Sequence, residues 1–301
     1  MFIVQHRKIF YIISGVLAVL SVVAMFVYGL NLGIDFKGGS LLEITYTDPR
    51  PELDSVRLAV SDTLQSEPSV RPIGDNGYVI RMRSVSEVER QNILAALSAA
   101  DAQFTEERFD SIGPLLGKES ARKSLISIVL VLVMIILFIA FAFRKVSEPV
   151  SSWKYGLIAV LALAHDVIIP TGVFAVLGHF NPIIEIDTLF VTALLVILGF
   201  SVHDTIVVFD RVRENLRLQK REPFENIVGS SISQTFTRSI NTSLTVVLSL
   251  IVLYFVGGSA THNFTLALLI GIVAGTYSSI FLGSPLLVTV EKWQQKKKLD
   301  K

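Results

Sequence analysis

Six apolar stretches, each about 20 residues long, constrain the fold of this chain more than any other feature, because a helix of that length crosses the roughly 30 Å hydrocarbon core of a bilayer. They cover about Ile9–Leu30, Ser124–Phe143, Trp153–Gly178, Ile186–Phe209, Ser231–Val256 and Phe264–Val290. Charged residues make up 18% of the 301 residues, against about 25% in an ordinary soluble protein. The sequence therefore predicts an α-helical polytopic membrane protein in which one helix precedes a long insert and five helices follow it.

Arginine and lysine gather on one side of these spans. They are Arg7, Lys8, Arg144, Lys145, Lys154, Arg211, Arg213, Arg217, Lys220, Arg221, Lys292 and Lys296–Lys298. The two short loops on the other side, around His179–Glu185 and Gly257–Asn263, contain neither residue type. Because basic loops stay in the cytoplasm, we expect both termini to be cytoplasmic and the insert to lie outside. The first apolar run is too long for a secretory signal and no A-x-A-like site follows it, so we expect an uncleaved anchor.

The insert has the pattern of a small soluble domain. Its segments are SLLEITYT (strand), PELDSVRLAVSDTLQS (helix), VRPIG (a weakly marked strand), NGYVIRMR (strand), SEVERQNILAALSAA (helix) and AQFTEERFDSIG (strand). Ser86 and Glu89 have the spacing of a capping box at the start of the second helix. We therefore predict a ferredoxin-like β-α-β-β-α-β sheet with its helices on one face. The predicted domains are a transmembrane helix at 1–30, an extracytoplasmic α+β domain at 31–119, and a five-helix transmembrane domain with a cytoplasmic tail at 120–301.

Polar residues inside the fourth and fifth spans are the strongest functional signal. A charged side chain at the bilayer centre costs about 2.5–3.5 kcal/mol on insertion scales, so it marks a functional site by default. Asp204 and Arg238 lie at similar depth in consecutive spans. Further polar residues share a helix face with them, namely Ser201 and Thr205 with Asp204, and Gln234, Asn241, Thr242 and Thr245 with Arg238. We predict that the carboxylate and the guanidinium approach each other in at least one state.

Two histidines accompany the buried carboxylates. His165 and Asp166 are adjacent near the middle of span three, and His203 directly precedes Asp204. Carboxylates and imidazoles can exchange protons near neutrality once burial shifts them, whereas arginine stays charged. These four residues and Arg238 are therefore a candidate proton path. For His165 and Asp166, a hydrogen bond that only joins two helices explains the pattern equally well.

Several chemistries find no support in the sequence. The chain has no cysteine, which excludes disulfides, thiol catalysis and cysteine-ligated metals. The segment GPLLGKES has three residues between its glycines, one fewer than a phosphate-binding loop, and Glu119 stands directly after Lys118 where that loop has Ser or Thr. We therefore expect no enzyme activity, no catalytic residue, no metal, no cofactor and no nucleic-acid partner.

Five motifs occur in a fixed order along the chain. They are LGIDFKGGSLLEI after span one, SIGPLLGKE before span two, ALAHD in span three, SVHDTIVVFDRVREN across span four and SQTFTRSINTS at the start of span five. The set resembles the SecF side of the SecD/SecF family of protein-export membrane subunits, and the resemblance covers essentially the whole chain. Family motif positions fall on Gly33, Asp35, Gly38, Gly39, Asp210 and Arg211. One departure is His203, where the family usually has Asn.

The resemblance implies a subunit of the bacterial cytoplasmic (inner) membrane that pairs with a SecD-like subunit beside the Sec translocon channel. It also implies that the proton gradient drives export of an unfolded protein, with Asp204 and Arg238 at the family's functional positions. The lipid bilayer is the remaining partner. Two alternatives stay open. One is half of a proton-coupled exporter of small molecules or lipids from the same resistance-nodulation-division superfamily, and the other is a scaffold whose polar core only fixes helix register.

Overall fold

The computed structural model describes residues 2–47, 49–98, 103–143, 150–219 and 221–299. The chain divides into two compact units. The helical unit comprises Met1–Asn31, Ile126–Glu185 and Leu189–Lys301, and the sheet unit comprises Leu32–Leu125 and Ile186–Thr188. The sheet unit thus extends a few residues beyond the predicted domain bounds and also includes the three residues at the start of span four, Ile186–Thr188. Among the basic residues used to predict orientation, Arg144, Lys145 and Lys220 lie outside the described residues.

The apolar runs fold as long helices. The described helices are α1 (Phe2–Gln5), α2 (Arg7–Tyr28), α3 (Ile34–Lys37), α4 (Leu53–Leu64), α5 (Glu87–Ser98), α6 (Pro114–Ala142), α7 (Ser152–Phe180), α8 (Thr188–Leu218), α9 (Phe224–Val256), α10 (Ser259–Tyr277) and α11 (Ser284–Leu299). Within the described residues, six helical segments are long and apolar enough to cross a membrane. This confirms the predicted six-span architecture. Several helices extend past the apolar run that predicted them, because polar residues continue the helix outside the hydrocarbon.

The sixth span contains an irregularity that the sequence did not predict. Between α10 and α11 the backbone forms a π-helix at Ser278–Gly283, which we call the π turn. A π-helix has i→i+5 hydrogen bonds and usually occurs as a single turn inside an α-helix, frequently at a functional site. The π turn is therefore a candidate part of the functional site.

Glycine allows two pairs of spans to pack closely. A Cβ atom on Gly172 of α7 would lie 2.3 Å from Ser21 Cβ of α2. A Cβ atom on Gly271 of α10 would lie 2.1 Å from Ile197 Cδ1 of α8. Small residues at helix contacts are the usual means by which membrane helices approach one another. A larger residue at Gly172 would collide with the backbone of Ser21, and one at Gly271 would displace the Ile197 side chain.

The sheet unit has four antiparallel strands in the order β2-β3-β1-β4. The strands are β1 (Gly39–Tyr46), β2 (Ser69–Ile73), β3 (Gly77–Met82) and β4 (Phe104–Ile112). With α4 after β1 and α5 after β3, the order is β-α-β-β-α-β, as predicted. Buried apolar residues of α4, α5 and the strands form one core, which includes Val56, Val60, Leu64, Ile93, Leu97, Leu42, Ile44 and Ile80. The last two residues of the predicted second helix, Ala99 and Ala100, lie outside the described residues.

The predicted capping box begins α5. The backbone N–H of Ser86 donates to Glu89 Oε2 over 2.8 Å, and the backbone N–H of Glu89 donates to Ser86 Oγ over 3.4 Å. Arg83 NH2 also donates to Glu89 Oε1 over 2.5 Å. The hydrogen bond from Arg83, followed by those from Ser86, lowers the pKa of Glu89 to about 2. The carboxylate of Glu89 therefore satisfies one of the N–H groups that every helix start leaves without a partner.

Candidate functional site

Asp166 of α7 is a buried carboxylate that three side chains contact. Its relative exposure is 0%. Ser201 Oγ of α8 donates a hydrogen bond to Asp166 Oδ2 over 2.5 Å, and Ser278 Oγ of the π turn donates to the same oxygen over 2.8 Å. Nδ1 of His165 lies 3.0 Å from Asp166 Oδ1. Asp166 therefore joins span three to spans four and six through Oδ2, and its Oδ1 contacts His165 of its own helix.

The π turn provides further hydroxyl groups at the same place. Ser279 Oγ lies 3.0 Å from Thr205 Oγ1 and donates to the backbone oxygen of Ser201 over 3.3 Å. Ser284 Oγ donates to the backbone oxygen of Ser279 over 2.8 Å. Ser278, Ser279 and Ser284 are each 0% exposed. The irregular backbone of span six is thus stabilised by its own serine side chains, and it positions two of them against neighbouring spans.

Asp204 of α8 is buried but incompletely hydrogen-bonded. Its relative exposure is 3%, and its Oδ2 atom has no hydrogen-bond partner among the described residues. The Ser239 hydroxyl of α9 is a neighbour, and His203 and Arg238 act on the carboxyl group electrostatically. A buried polar atom without a partner is energetically costly. Asp204 can therefore gain a partner at Oδ2 without breaking an existing hydrogen bond.

Arg238 of α9 does not pair directly with Asp204 in this structure. In the described part of the chain, no acidic side chain lies within 4.0 Å of its guanidinium. Arg238 is exposed, as are Gln234, Asn241 and Thr245, and Thr242 is partly buried. The polar stripe predicted for span five therefore lies mainly on the surface of the chain, and Gln234 is the member that contacts α8 in the described residues, through Asn215. The sequence had predicted that the whole stripe faces α8. The predicted approach of Asp204 and Arg238 stays a prediction for another state.

The buried face of α9 carries small hydroxyl residues instead. They recur every fourth residue and are between 0% and 6% exposed: Ser231, Thr235, Ser239 and Ser243. Asn215 of α8, which is 3% exposed, donates through Nδ2 to Ser231 Oγ over 2.9 Å and to Gln234 Oε1 over 3.0 Å. Sequence reasoning missed Asn215 and this hydroxyl face, although the four-residue repeat was available as a signal. Short side chains let α9 approach the other spans, and the longer polar side chains point outward.

His203, Asp210 and Arg211 lie elsewhere on α8. His203 is exposed, because neighbouring residues on a helix point about 100° apart. Asp210 pairs with Arg213 over 2.7 Å, and Arg211 pairs with Glu214 over 2.9 Å. Pairs of this i,i+3 type on an exposed helix contribute about 0.3–0.5 kcal/mol each. The structure therefore does not bring these three residues to the carboxylate of Asp166.

The motif residues after span one lie together in the sheet unit. The backbone N–H of Gly33 donates to the backbone oxygen of Ile186. The carboxylate of Asp35 accepts a hydrogen bond from the backbone N–H of Thr188. Gly38 and Gly39 have φ angles of +77° and +130°, which residues with a Cβ atom rarely adopt. The sequence pattern that marked these four residues therefore corresponds to one compact local structure.

Comparison with known proteins agrees with this arrangement. Residues 92–293 match the family described as protein export membrane protein SecD/SecF, C-terminal, and residues 23–49 match the SecD/SecF GG motif. The protein translocase subunit SecF of Thermobaculum terrenum is 43% identical over 98% of this chain and 94% of that protein. The SecF subunit of Rhodothermus marinus is 38% identical over 95% of this chain and 91% of that protein.

Solved structures show the same relationship. The crystal structure of SecDF from Thermus thermophilus, a translocon-associated membrane protein, aligns with a TM-score of 0.82 at 31% identity and covers 96% of this chain and 38% of that one. A SecDF structure in a super-membrane-facing form aligns with a TM-score of 0.65, also at 31% identity, and covers 98% of this chain and 38% of that one. Family profile, relatives and fold lead to one conclusion: this multi-pass membrane chain belongs to the SecD/SecF family of protein-export membrane proteins, on its SecF side.

Proposed function

We propose that this chain, as an accessory subunit of the Sec translocase, works with a SecD-like subunit and uses the proton gradient through Asp204 and Arg238. The proposal rests on the burial and the hydrogen bonding of these two side chains. Asp204 is buried with a carboxylate oxygen that has no partner among the described residues, and Arg238 on the next span is exposed. A carboxylate and a guanidinium that are close but unpaired inside a membrane span can be joined and separated during a cycle.

The exposed stripe on α9 supports a partner in the membrane. Gln234, Arg238, Asn241 and Thr245 project from a span whose other exposed residues include Leu244, Leu248 and Val252. A guanidinium facing hydrocarbon near the bilayer centre would cost about 2.5–3.5 kcal/mol. Intramembrane polar groups normally face the interior of a helix bundle. We infer that helices of another subunit cover this stripe.

A SecD-like chain fits that position. This chain covers 38% of the length of SecDF, a relative whose name joins both subunits, so a second membrane unit accounts for part of the remainder. A partner with the same kind of spans would bring its own polar residues to the stripe and complete a twelve-span assembly. The further partners we propose are the Sec translocon channel, the unfolded exported protein and the lipid bilayer, in a bacterial inner membrane with both termini cytoplasmic.

The proton step follows from the partnerless oxygen of Asp204. Either a proton or the Arg238 guanidinium can satisfy Oδ2, but the two exclude each other, so protonation and helix arrangement become linked. A charge moved fully through 100 mV contributes about 2.3 kcal/mol, which changes a balanced two-state equilibrium by about fiftyfold. The two SecDF structures align with this chain at the same identity but with TM-scores of 0.82 and 0.65. Relatives with more than one arrangement support a cycle between arrangements.

The test is gradient-dependent export by the chain reconstituted with a SecD-like subunit and the translocon channel. Asp204→Asn keeps the shape of the side chain and removes its titration, so the complex should assemble and export at the rate seen without a gradient. Glu214→Gln on the same helix is the matched control, since Glu214 is exposed and pairs locally with Arg211. His203→Asn restores the family's usual residue and should have a mild effect if His203 is a stand-in, since the imidazole is exposed and acts on Asp204 only electrostatically.

The results separate the possible roles. If Asp204→Asn retains full stimulation by the gradient, the proton role of Asp204 is wrong and the polar contacts serve only to hold the helices. If the chain does not copurify with a SecD-like subunit and translocon components from native membranes, the export assignment fails even if proton coupling remains. In that case the superfamily's exporters of small molecules or lipids become the better explanation.

A further inference from the structure

The segment after span one is hydrogen-bonded to the start of helix α8. Asp35 Oδ2 accepts a hydrogen bond from the backbone N–H of Thr188 over 3.0 Å. Two residues earlier, the N–H of Gly33 donates to the backbone oxygen of Ile186 over 2.9 Å, and Leu32 pairs with Ile186 in a parallel bridge. All of these residues belong to the sheet unit. The N-terminal end of α8 is therefore fixed by side-chain and backbone contacts to the same short segment.

Helix α8 also carries Asp204. Thr188 is the first residue of α8, and Asp204 follows it within the same unbroken helix. At 1.5 Å per residue, the two positions are about 24 Å apart along the helix axis. A carboxylate at the first turn satisfies an N–H group that has no partner within the helix, and it is favourably placed in the helix dipole. Asp35 thus holds one end of the helix whose other half contains the proposed proton site.

The other end of the motif is held by backbone contacts. A Cβ atom on Gly38 would lie 2.7 Å from Pro114 Cα at the start of α6, and one on Gly39 would lie 2.8 Å from the Met82 oxygen of β3. A Cβ atom on Gly117 would lie 2.8 Å from the Gly38 nitrogen. Backbone atoms cannot move aside as flexible side chains can. The short helix α3, which contains Asp35 and is followed by Gly38, is therefore held at both ends with little freedom to shift.

We propose that Asp35 is a positioning residue of the proton step. By capping α8, it ties axial or tilting movements of that helix to α3 and, through Gly38 and Gly39, to strand β1 of the sheet unit. The inference rests on the proposed function, because it requires that α8 moves when Asp204 changes its partner. Asp35, the aspartate of the glycine-rich motif, would then hold the N-terminal end of α8, a role that the sequence pattern alone does not reveal.

The experiment uses the full chain reconstituted with a SecD-like subunit and the translocon channel. Export is measured with and without a proton gradient for Asp35→Ala, Asp35→Asn, Asp204→Asn and the control Asp54→Ala. Asp54 is an exposed residue of α4 that makes only a long 3.4 Å contact with Arg57. Asp35→Ala should lose most of the gradient-dependent increment while export without a gradient is kept. Asp35→Asn retains an oxygen that can cap α8, so it should keep most of the increment, and Asp54→Ala should behave as the unmodified chain.

Hydrogen exchange gives an independent readout of the cap. The Thr188 amide should exchange about fivefold faster in Asp35→Ala, which is the factor expected for an average lost helix N-cap. Thr188→Pro removes the donor of the same hydrogen bond, and proline is well tolerated at the first position of a helix. The export loss of the double variant Asp35→Ala/Thr188→Pro should therefore not exceed that of either single variant. The single variant Thr188→Pro keeps the proposal testable if Asp35→Ala does not assemble, because it removes the same hydrogen bond and should also lose most of the gradient-dependent increment.

Three results would overturn the inference. The first is faster exchange at Thr188 in Asp35→Ala with an unchanged gradient-dependent increment, since the cap would then be only local. The second is equal loss in Asp35→Ala and Asp35→Asn, since negative charge and not the cap would then be required. The third is additive loss in the double variant. If any of these results occurs while Asp204→Asn loses the gradient-dependent increase in export, the inference about Asp35 fails and the proposed function stands. If Asp204→Asn is still fully stimulated by the gradient, the proposed function itself is refuted.

Discussion

Replacing Asp166 with alanine tests whether the buried hydrogen bonds between spans three, four and six stabilise the helical unit. The substitution removes the acceptor of Ser201, Ser278 and His165. The Ser278 hydroxyl still has the backbone oxygen of Gly275 at 3.1 Å. Within the described residues, the Ser201 hydroxyl and His165 Nδ1 have no second hydrogen-bond partner of this kind, so they would be left buried without one.

The expected magnitude follows from these two groups. A buried polar group that loses its partner costs about 1–3 kcal/mol, which gives about 2–6 kcal/mol for two. Hydrogen bonds between membrane helices average about 0.6 kcal/mol, with a maximum of about 1.7 kcal/mol, because the unfolded chain in the membrane also finds partners. We therefore expect Asp166→Ala to lower the free energy of unfolding by about 2–4 kcal/mol, toward the lower end of the first range.

The assay is reversible unfolding of the purified chain in mixed micelles, followed by the fluorescence of Trp153 and Trp293. Trp153 lies on α7, the helix of Asp166, and Trp293 lies on α11, which follows the π turn that Asp166 contacts. Ser201→Ala and Ser278→Ala each remove one donor, so each should cost less than Asp166→Ala. Glu214→Gln on the exposed side of α8 is the control and should leave stability within about 0.5 kcal/mol.

Two outcomes would refute this reasoning. A loss below about 0.5 kcal/mol for Asp166→Ala, the level of an ordinary surface substitution, would show that these hydrogen bonds do not hold the helices. A loss for Ser278→Ala as large as that for Asp166→Ala would show that one hydroxyl carries the whole effect and that the shared acceptor is not the cause.

Two further predictions concern the sheet unit. Gly38→Ala should destabilise the full chain by more than Gly74→Ala, because Gly38 has φ +77° and ψ 165°, a region that is essentially restricted to glycine, and its added Cβ would meet Pro114 Cα at 2.7 Å. Gly74 also has a positive φ, of +54°, but no atom lies within 4 Å of its added Cβ, so equal losses in thermal unfolding would contradict this reasoning. The ionised Glu89 carboxylate should stabilise the sheet unit fully above its ordinary pKa of 4.5, and this stabilisation should disappear as the pH falls through the folded-state pKa of about 2. Acid unfolding of Glu89→Ala should lack that part of the pH dependence. An unchanged pH profile in this variant would refute the stabilising role of the carboxylate.

The sequence predicted the parts of the fold that depend on local patterns. Apolar runs of sufficient length specify membrane helices regardless of their neighbours. In the sheet unit, alternating strands and the helical spacing of Val56, Val60 and Leu64 predicted both the order of elements and the buried face of α4. The sequence predicted the capping box of Ser86 and Glu89 because both partners lie within one helical turn.

The sequence did not predict features that depend on contacts between distant segments. Both faces of α9 have a helical polar repeat. The face that carries Arg238 was predicted to be the buried one, because an arginine is costly in a membrane. The structure buries the Ser231–Ser243 face and exposes Arg238, because short side chains allow close packing. The π turn gave no signal either, since an i→i+5 backbone is specified by its neighbours and not by composition. The same holds for segment 186–188, which joins the sheet unit through Gly33 and Asp35.

The two buried aspartates differ in a way that bears directly on which one can carry a proton. A proton carrier must change its partner repeatedly without dismantling the structure around it. Asp166 is hydrogen-bonded to three side chains, from its own helix, α8 and the π turn, so any change at its oxygens requires several groups to find new partners. Asp204 has a buried oxygen with no partner among the described residues and an arginine on the next span. A proton or a guanidinium can therefore reach Asp204 at the cost of no existing hydrogen bond to that oxygen, which supports Asp204 as the exchanging group and Asp166 as the residue that holds the spans together.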